Sequence, residues 1–206
     1  MKGSAFNAVL APKVERSLPD KQIFWGAQNG GQIFFPTVKD AYARKHDSDP
    51  TPLQEFCRAV SNAQERIWVV DEYLLMPDNG KGEPSKRIDQ ILAWLPLSLI
   101  ASDVRLLIKQ HQEVEDKDLK RFQQRAQEIN DRRVRHSKNC CIDVRTHLTK
   151  KCDFIHDRFA IIDDELWHFG GTVGGFHSAV SAASRGWSAK DHGASIFFEA
   201  IWNAGE

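Results

Sequence analysis

The sequence predicts an α/β fold in which helices flank a mixed β-sheet. Short runs rich in β-branched and aromatic residues alternate with longer segments whose apolar residues recur every three or four positions. This alternation is typical of helices layered around a sheet. The chain has 206 residues, 41% of them hydrophobic and 27% charged, and is long enough to bury a substantial core. No apolar run reaches the length of a membrane span, and residues 1–4 do not begin a signal peptide, so we expect a cytoplasmic protein without a membrane segment.

Residues 1–50 are predicted to form an N-terminal extension, and residues 51–206 the main domain. Two apolar runs, 22–26 and 32–35, flank the turn sequence Asn29-Gly30-Gly31, which favours a β-hairpin. The polar sequence at 47–50 ends in proline and marks the boundary. We expect the apolar residues of the extension to cover part of the domain or a partner subunit.

The main domain should begin with a helix, because Thr51, Pro52 and Gln54 match a capping box with proline at the first helical position. The apolar spacing then predicts a strand at 66–75, a helix ending at Pro96, a buried strand at 104–108, a polar helix at 116–133 and a strand starting at 141.

The segment 154–163 carries the strongest functional signal and is predicted to be one strand. With a period of two, His156 and Arg158 lie on the same face. An imidazole that can act as a nucleophile and a fixed cation therefore point the same way, close to a glycine-rich turn at 170–172. Burying such a pair is costly unless an anion, usually a phosphate, lies between the two groups. The segment thus predicts a phosphate-binding site.

At these residues the chain resembles the phospholipase D superfamily. The family motif is His, any residue, Lys, four residues, Asp, six residues, then Gly-Gly or Gly-Ser and, one residue further, Asn. His156 and Asp163 hold their places, Arg158 stands where Lys is expected, and Gly170 and Gly171 arrive in register. The similarity covers roughly residues 53–203.

One departure from the family concerns phosphate binding. Val173 stands where the family's Asn donates to the phosphate, which valine cannot do, and Thr172 offers the nearest hydroxyl. The resemblance implies that Gly170, Gly171 and Thr172 bind phosphate. Restoring the pattern with Arg158→Lys and Val173→Asn is then expected to raise turnover.

The resemblance also implies a mechanism. Members of the family cleave phosphodiesters without a metal or other cofactor, through a phosphohistidine and a second histidine that protonates the leaving oxygen. Because this chain has one motif copy, two chains would pair about a two-fold axis and bring two His156 residues together. Asp191 lies in the segment 190–198, which resembles the family's closing strand, and is the candidate carboxylate that orients His156; an exposed loop Asp is the alternative. Asp163 is more typical of a turn.

Charge and cysteine content restrict the partners. Lys plus Arg and Asp plus Glu number 28 each, so any affinity for nucleic acid must come from local patches. Lys150 and Lys151, just ahead of the motif, are predicted to guide phosphates, whereas the basic cluster at 132–138 is more typical of a helix end. The four cysteines lack paired metal-binding spacing, and we expect reduced thiols and no metal site.

The expected function is a homodimeric nuclease. A nuclease is favoured over a lipase because no interfacial amphipathic helix is evident. Two alternatives stay open: a catalytically inactive module for nucleic-acid binding or regulation, and a subunit of a larger defence or DNA-processing complex.

Overall fold

The computed structural model describes residues 17–27, 30–47, 50–76, 84–134, 137–175 and 179–205. Within these residues the chain forms one seven-stranded sheet in the order β1-β7-β6-β5-β2-β3-β4. The strands are β1 (Gln22–Trp25), β2 (Arg66–Val70), β3 (Asp103–Leu107), β4 (Cys141–Arg145), β5 (Arg158–Ile162), β6 (Glu165–Phe169) and β7 (Ala182–Ser188). Neighbours among β2, β3 and β4 are parallel, and every other pair is antiparallel, so the sheet is mixed.

Helices cover both faces of this sheet, which confirms the predicted α/β class. The helices are α1 (Val38–Lys45), α2 (Gln54–Ser61), α3 (Pro84–Leu92), α4 (Asp116–Asp131), α5 (Leu148–Lys151) and α6 (Ala194–Asn203). One core cluster joins a sheet face to α2, α3 and α4, and a second joins the opposite face to α5 and α6. We call these the first and the second core. No helix in the described part of the chain is long and apolar enough to cross a bilayer.

The helix that was predicted to start at Thr51 begins later. The capping pattern placed its start at Thr51, but α2 begins at Gln54 and has no side-chain cap. Backbone carbonyls from elsewhere take up its first amides instead: Leu53 donates to Gly174 at 2.8 Å and Gln54 donates to Gly30 at 2.9 Å. Tertiary hydrogen bonds thus satisfy the helix end that a side chain would otherwise cap.

The prediction of a closing strand at 190–198 is wrong. Two strands, β6 and β7, follow the motif strand, and the chain then forms helix α6. Phe198, Ile201 and Trp202 recur at helical spacing and are all buried in the second core, where the Phe198 ring stacks on Trp68 with centroids 4.6 Å apart.

The N-terminal extension contributes an edge of the sheet. β1 pairs with β7, while the predicted hairpin is reduced to a single bridge between Trp25 and Gln32, with residues 28 and 29 outside the described part. Arg44 of α1 is 1% exposed and donates to the carbonyls of Ala27 (2.7 Å) and Gly175. The extension is therefore joined to the turn that follows β6.

Candidate active site

Three segments distant in sequence meet at one edge of the sheet. The carboxyl ends of parallel β2, β3 and β4 lie beside the start of β5, because β5 runs antiparallel to β2. Val70 pairs with Phe159, which brings Asp71 next to Arg158. Arg158 itself pairs with Phe169, so the turn after β6 reaches the same edge. Ligands commonly bind outside the carboxyl ends of strands in α/β sheets.

His156 lies two residues before β5 and is exposed. The predicted strand from 154 therefore starts four residues late, yet the segment is anchored. Ile155 and Phe159 are buried in the second core, and the Ile155 amide donates to the Cys152 carbonyl at 3.0 Å. Among the described residues the His156 imidazole has no hydrogen-bond partner.

Arg158 lies among carboxylates and an aromatic ring. Its Nε is 3.6 Å from Oδ1 of Asp71, and its Nη2 is 3.9 Å from Oε1 of Glu72. The guanidinium carbon is 5.0 Å from the centre of the Tyr73 ring, within reach of a cation–π contact. The anion that the sequence pattern required beside this cation is thus supplied by the protein itself.

Asp71 connects all three segments. Its side chain is fully buried, and its two oxygens accept from the amides of Tyr73 and Val173, each at 2.8 Å. Burial raises the pKa of this carboxyl from 3.8 to about 6, although the two amides and the charges of Arg158 and Arg87 oppose the shift. Asp71 therefore takes up a proton at a higher pH than an exposed aspartate does.

The turn after β6 lies beside Arg158, as predicted from the sequence. The Val173 side chain does not take the role of the Asn in the phospholipase D motif, because it does not face the site. The Val173 side chain is 0% exposed and belongs to the first core, and only its backbone amide faces the site, through Asp71. Gly170 is exposed and donates to the Ala182 carbonyl at 2.8 Å, whereas Gly171 and Thr172 are buried. The turn lies beside Arg158 through the pairing of Arg158 with Phe169.

The two predicted basic residues lie at the same edge. Lys150 and Lys151 form the last turn of α5 and are exposed. Lys150 donates from Nζ to Oε1 of Gln110 at 2.6 Å. An isolated bridge between Lys109 and His147 joins the segment after β3 to the start of α5 and so brings the lysines towards the site.

Asp191 is not brought to His156. The amides of Ala189 and Lys190 donate to Asp164, which places this segment at the turn between β5 and β6. His156 precedes the other end of β5, about 13 Å away for a five-residue strand. Asp191 is an exposed turn residue whose amide donates to the Ser188 hydroxyl at 3.0 Å.

Asp163 holds a turn. Its φ is +56°, and its carboxylate accepts the amides of Gln64, Glu65 and Arg66 at 2.7–3.1 Å. It thereby fixes the start of β2 against the end of β5, far from His156.

Two residues of the edge were missed by sequence reasoning. Lys109 follows β3, with its Nζ 5.9 Å from the centre of the Tyr73 ring, and the Nε2 of His111 lies 2.8 Å from the Glu72 carbonyl oxygen. Both come shortly after a parallel strand, and that position is the signal that could have identified them. In the described ranges, no group of three or more His, Cys, Asp or Glu side chains is arranged to hold a metal ion.

No protein-family model and no curated protein matches the chain. Among solved structures, NucT from Helicobacter pylori is similar with a TM-score of 0.48 and 10% identity, over 90% of this chain and 98% of NucT. TrmBL2, described as an archaeal chromatin protein with a novel mode of DNA binding, has a TM-score of 0.40 and 11% identity, over 93% of this chain and 54% of TrmBL2. Phosphatidylserine synthase from Haemophilus influenzae Rd KW20 has a TM-score of 0.45 and 14% identity, over 86% of this chain and 36% of the synthase.

Proposed function

We propose that this chain is a phospholipase D-like phosphodiesterase that cleaves nucleic acid without a metal, as a cytoplasmic homodimer. One observation carries the proposal. His156 is exposed and has no partner among the described residues, and Arg158 follows two positions later at the same edge of the sheet. Lys150 and Lys151 add positive charge at that edge and would attract a polyanion.

The chemistry follows from these groups. A ring nitrogen of His156 would attack the phosphorus, and the bond to the leaving oxygen would break as His156 of a second subunit protonates that oxygen. Water, deprotonated by the second histidine, would then attack the phosphohistidine and release His156. Arg158 would stabilise the charge that builds on the phosphate oxygens.

A second candidate is an inactive module that binds nucleic acid. Two observations favour it: the side chain of Val173 is in the core and cannot donate to a phosphate, and the charge of Arg158 is compensated by Asp71 and Glu72. Such a module would keep the basic edge and lose turnover.

The deciding experiment incubates the purified protein with labelled single- and double-stranded DNA and RNA in EDTA. We expect cleavage that is lost in His156→Ala and kept in His192→Ala, an exposed histidine in the turn after β7. Cleavage that survives His156→Ala would refute the proposed role of His156. Tight binding without cleavage in every form would favour the module.

The dimer has its own test, because each site is proposed to need two copies of His156. Wild-type protein should scatter light as a dimer at micromolar concentration. Subunit exchange with an excess of His156→Ala should then reduce wild-type activity, since mixed dimers lack one histidine. A monomer in solution, or activity that is unchanged after exchange, would contradict the shared site.

A further inference from the structure

Arg158 has a charged neighbour but an unused hydrogen-bond donor. The 3.6 Å between its Nε and Oδ1 of Asp71 exceeds a hydrogen bond, and this Nε is buried without an acceptor among the described residues. A buried donor without an acceptor is costly, so a further acceptor at this position would be favourable.

The Asp71 carboxylate is held away from that donor. Its oxygens each accept one backbone amide, from Tyr73 and from Val173, and these two bonds fix the plane of the group. The attraction between Asp71 and Arg158 therefore rests on charge and not on a directed bond. Such a partner can be replaced by an anion that offers an oxygen to Nε.

We propose that Asp71 is a positioning residue that holds Arg158 in place as an internal counter-anion and releases it to a phosphate, taking up a proton in the exchange. This inference rests on the proposed function only in that the site must bind a phosphate or a similar oxyanion. Cleavage is not required.

The charges around Asp71 set the direction of the effect. Arg158 faces it from β5 and Arg87 from α3, and Glu72 is its chain neighbour. An anion that draws Arg158 away and adds negative charge nearby raises the pKa of Asp71 above its value of about 6. By linkage, the affinity for the anion falls as pH rises above 6, by up to about tenfold per unit, until the pKa of the complex is passed.

The test measures sulfate binding by calorimetry between pH 5 and pH 8, in pairs of buffers with different ionisation enthalpies. Sulfate serves as the probe because its own charge does not change in this range. We expect net proton uptake of up to one proton per site and an affinity that weakens with pH. Asp71→Asn should abolish the uptake and raise the affinity at pH 8 at least tenfold. Arg158→Ala should weaken binding at every pH.

Two control variants separate Asp71 from other titrating groups. His192→Ala, which changes an exposed histidine outside the site, should retain the uptake in full, and the part of the uptake that Asp71→Asn removes should persist in His156→Ala. Uptake that disappears in His156→Ala and persists in Asp71→Asn would overturn the proposal, as would wild-type protein that does not bind sulfate. If Asp71→Asn does not fold, the pKa of the Asp71 carboxyl is measured in wild-type protein from the pH dependence of its ¹³C chemical shift. We expect this pKa to rise when sulfate is added, and an unchanged pKa would overturn the inference. Sulfate binding with proton uptake but no nucleic-acid cleavage would leave this inference standing and refute the nuclease.

Discussion

Replacing Val173 by Asn tests whether one substitution can place a phosphate donor at this position. The motif predicts a gain in function, but the side chain at this position is fully buried in the first core. We therefore expect Val173→Asn to destabilise the fold and to leave anion binding without a new donor.

The magnitude follows from burial. Removing a fully buried valine side chain costs about 1.5–3 kcal/mol of transfer free energy. Placing an amide there without partners adds about 1–3 kcal/mol. The loss of about 2.5–6 kcal/mol is a large part of the ~5–15 kcal/mol that stabilises a typical domain.

Urea unfolding followed by circular dichroism measures this loss. Val173→Ala serves as the control for lost volume, and Val173→Thr for a single hydroxyl in nearly the same shape. We expect the Asn variant to be the least stable of the three. An Asn variant with the unfolding midpoint of the wild type and tighter sulfate binding would refute the reasoning, because the side chain would then reach the anion.

Four further outcomes are expected. Asp163→Ala should lower the free energy of unfolding by about 3 kcal/mol, since three amides lose a charged acceptor, and Asp163→Asn should lose less in the same urea titration. Lys150→Ala and Lys151→Ala should each weaken nucleic-acid binding for all sequences and reduce the slope of log affinity against log salt by about 1. Arg44→Met should cost about 2–4 kcal/mol in chemical denaturation, because it leaves buried carbonyls without a donor. Because the pKa of Asp71 is raised to about 6, the native state binds more protons than the unfolded state between pH 4 and pH 6. The contribution of Asp71 to the free energy of unfolding should therefore fall by about 3 kcal/mol as pH rises through this range. The variant Asp71→Asn should lack this loss.

The periodicity of apolar residues predicted individual strands and helices of the main sheet and its flanking layers. The alternation of apolar residues in β5 is real: Phe159 and Ile161 face the second core, and Ala160 and Ile162 face the first. The buried strand after residue 103 and the polar helix from Asp116 were likewise readable from periodicity. The segment 190–198 was predicted as a strand because its apolar run is short, and a short apolar run fits a buried strand and a helix equally well.

The composition of the site depends on which strands pair and in which register, and apolar periodicity does not predict these pairings. The motif pointed to an anion beside Arg158, but only the pairing of β2 with β5 shows that Asp71 takes that place. The pairing of β6 with β7 and the hydrogen bond from the Ala189 amide to the Asp164 carbonyl put the turn that holds Asp191 at the far end of the sheet. Likewise, the backbone amide of Val173 contributes to the site although its side chain does not.

The attachment of the first 50 residues has a practical consequence for dissecting this protein. β1 covers the outer edge of β7, and Arg44 binds the turn at Gly175, so these two contacts hold the segment to residues more than 100 positions away. A single break in the chain between α1 and α2 should therefore yield two fragments that stay together and copurify. A chain that starts at residue 51 would instead expose the seven-residue strand β7 as a free edge, and such edges recruit other chains into aggregates. Supplying the missing segment as a separate peptide should then restore solubility.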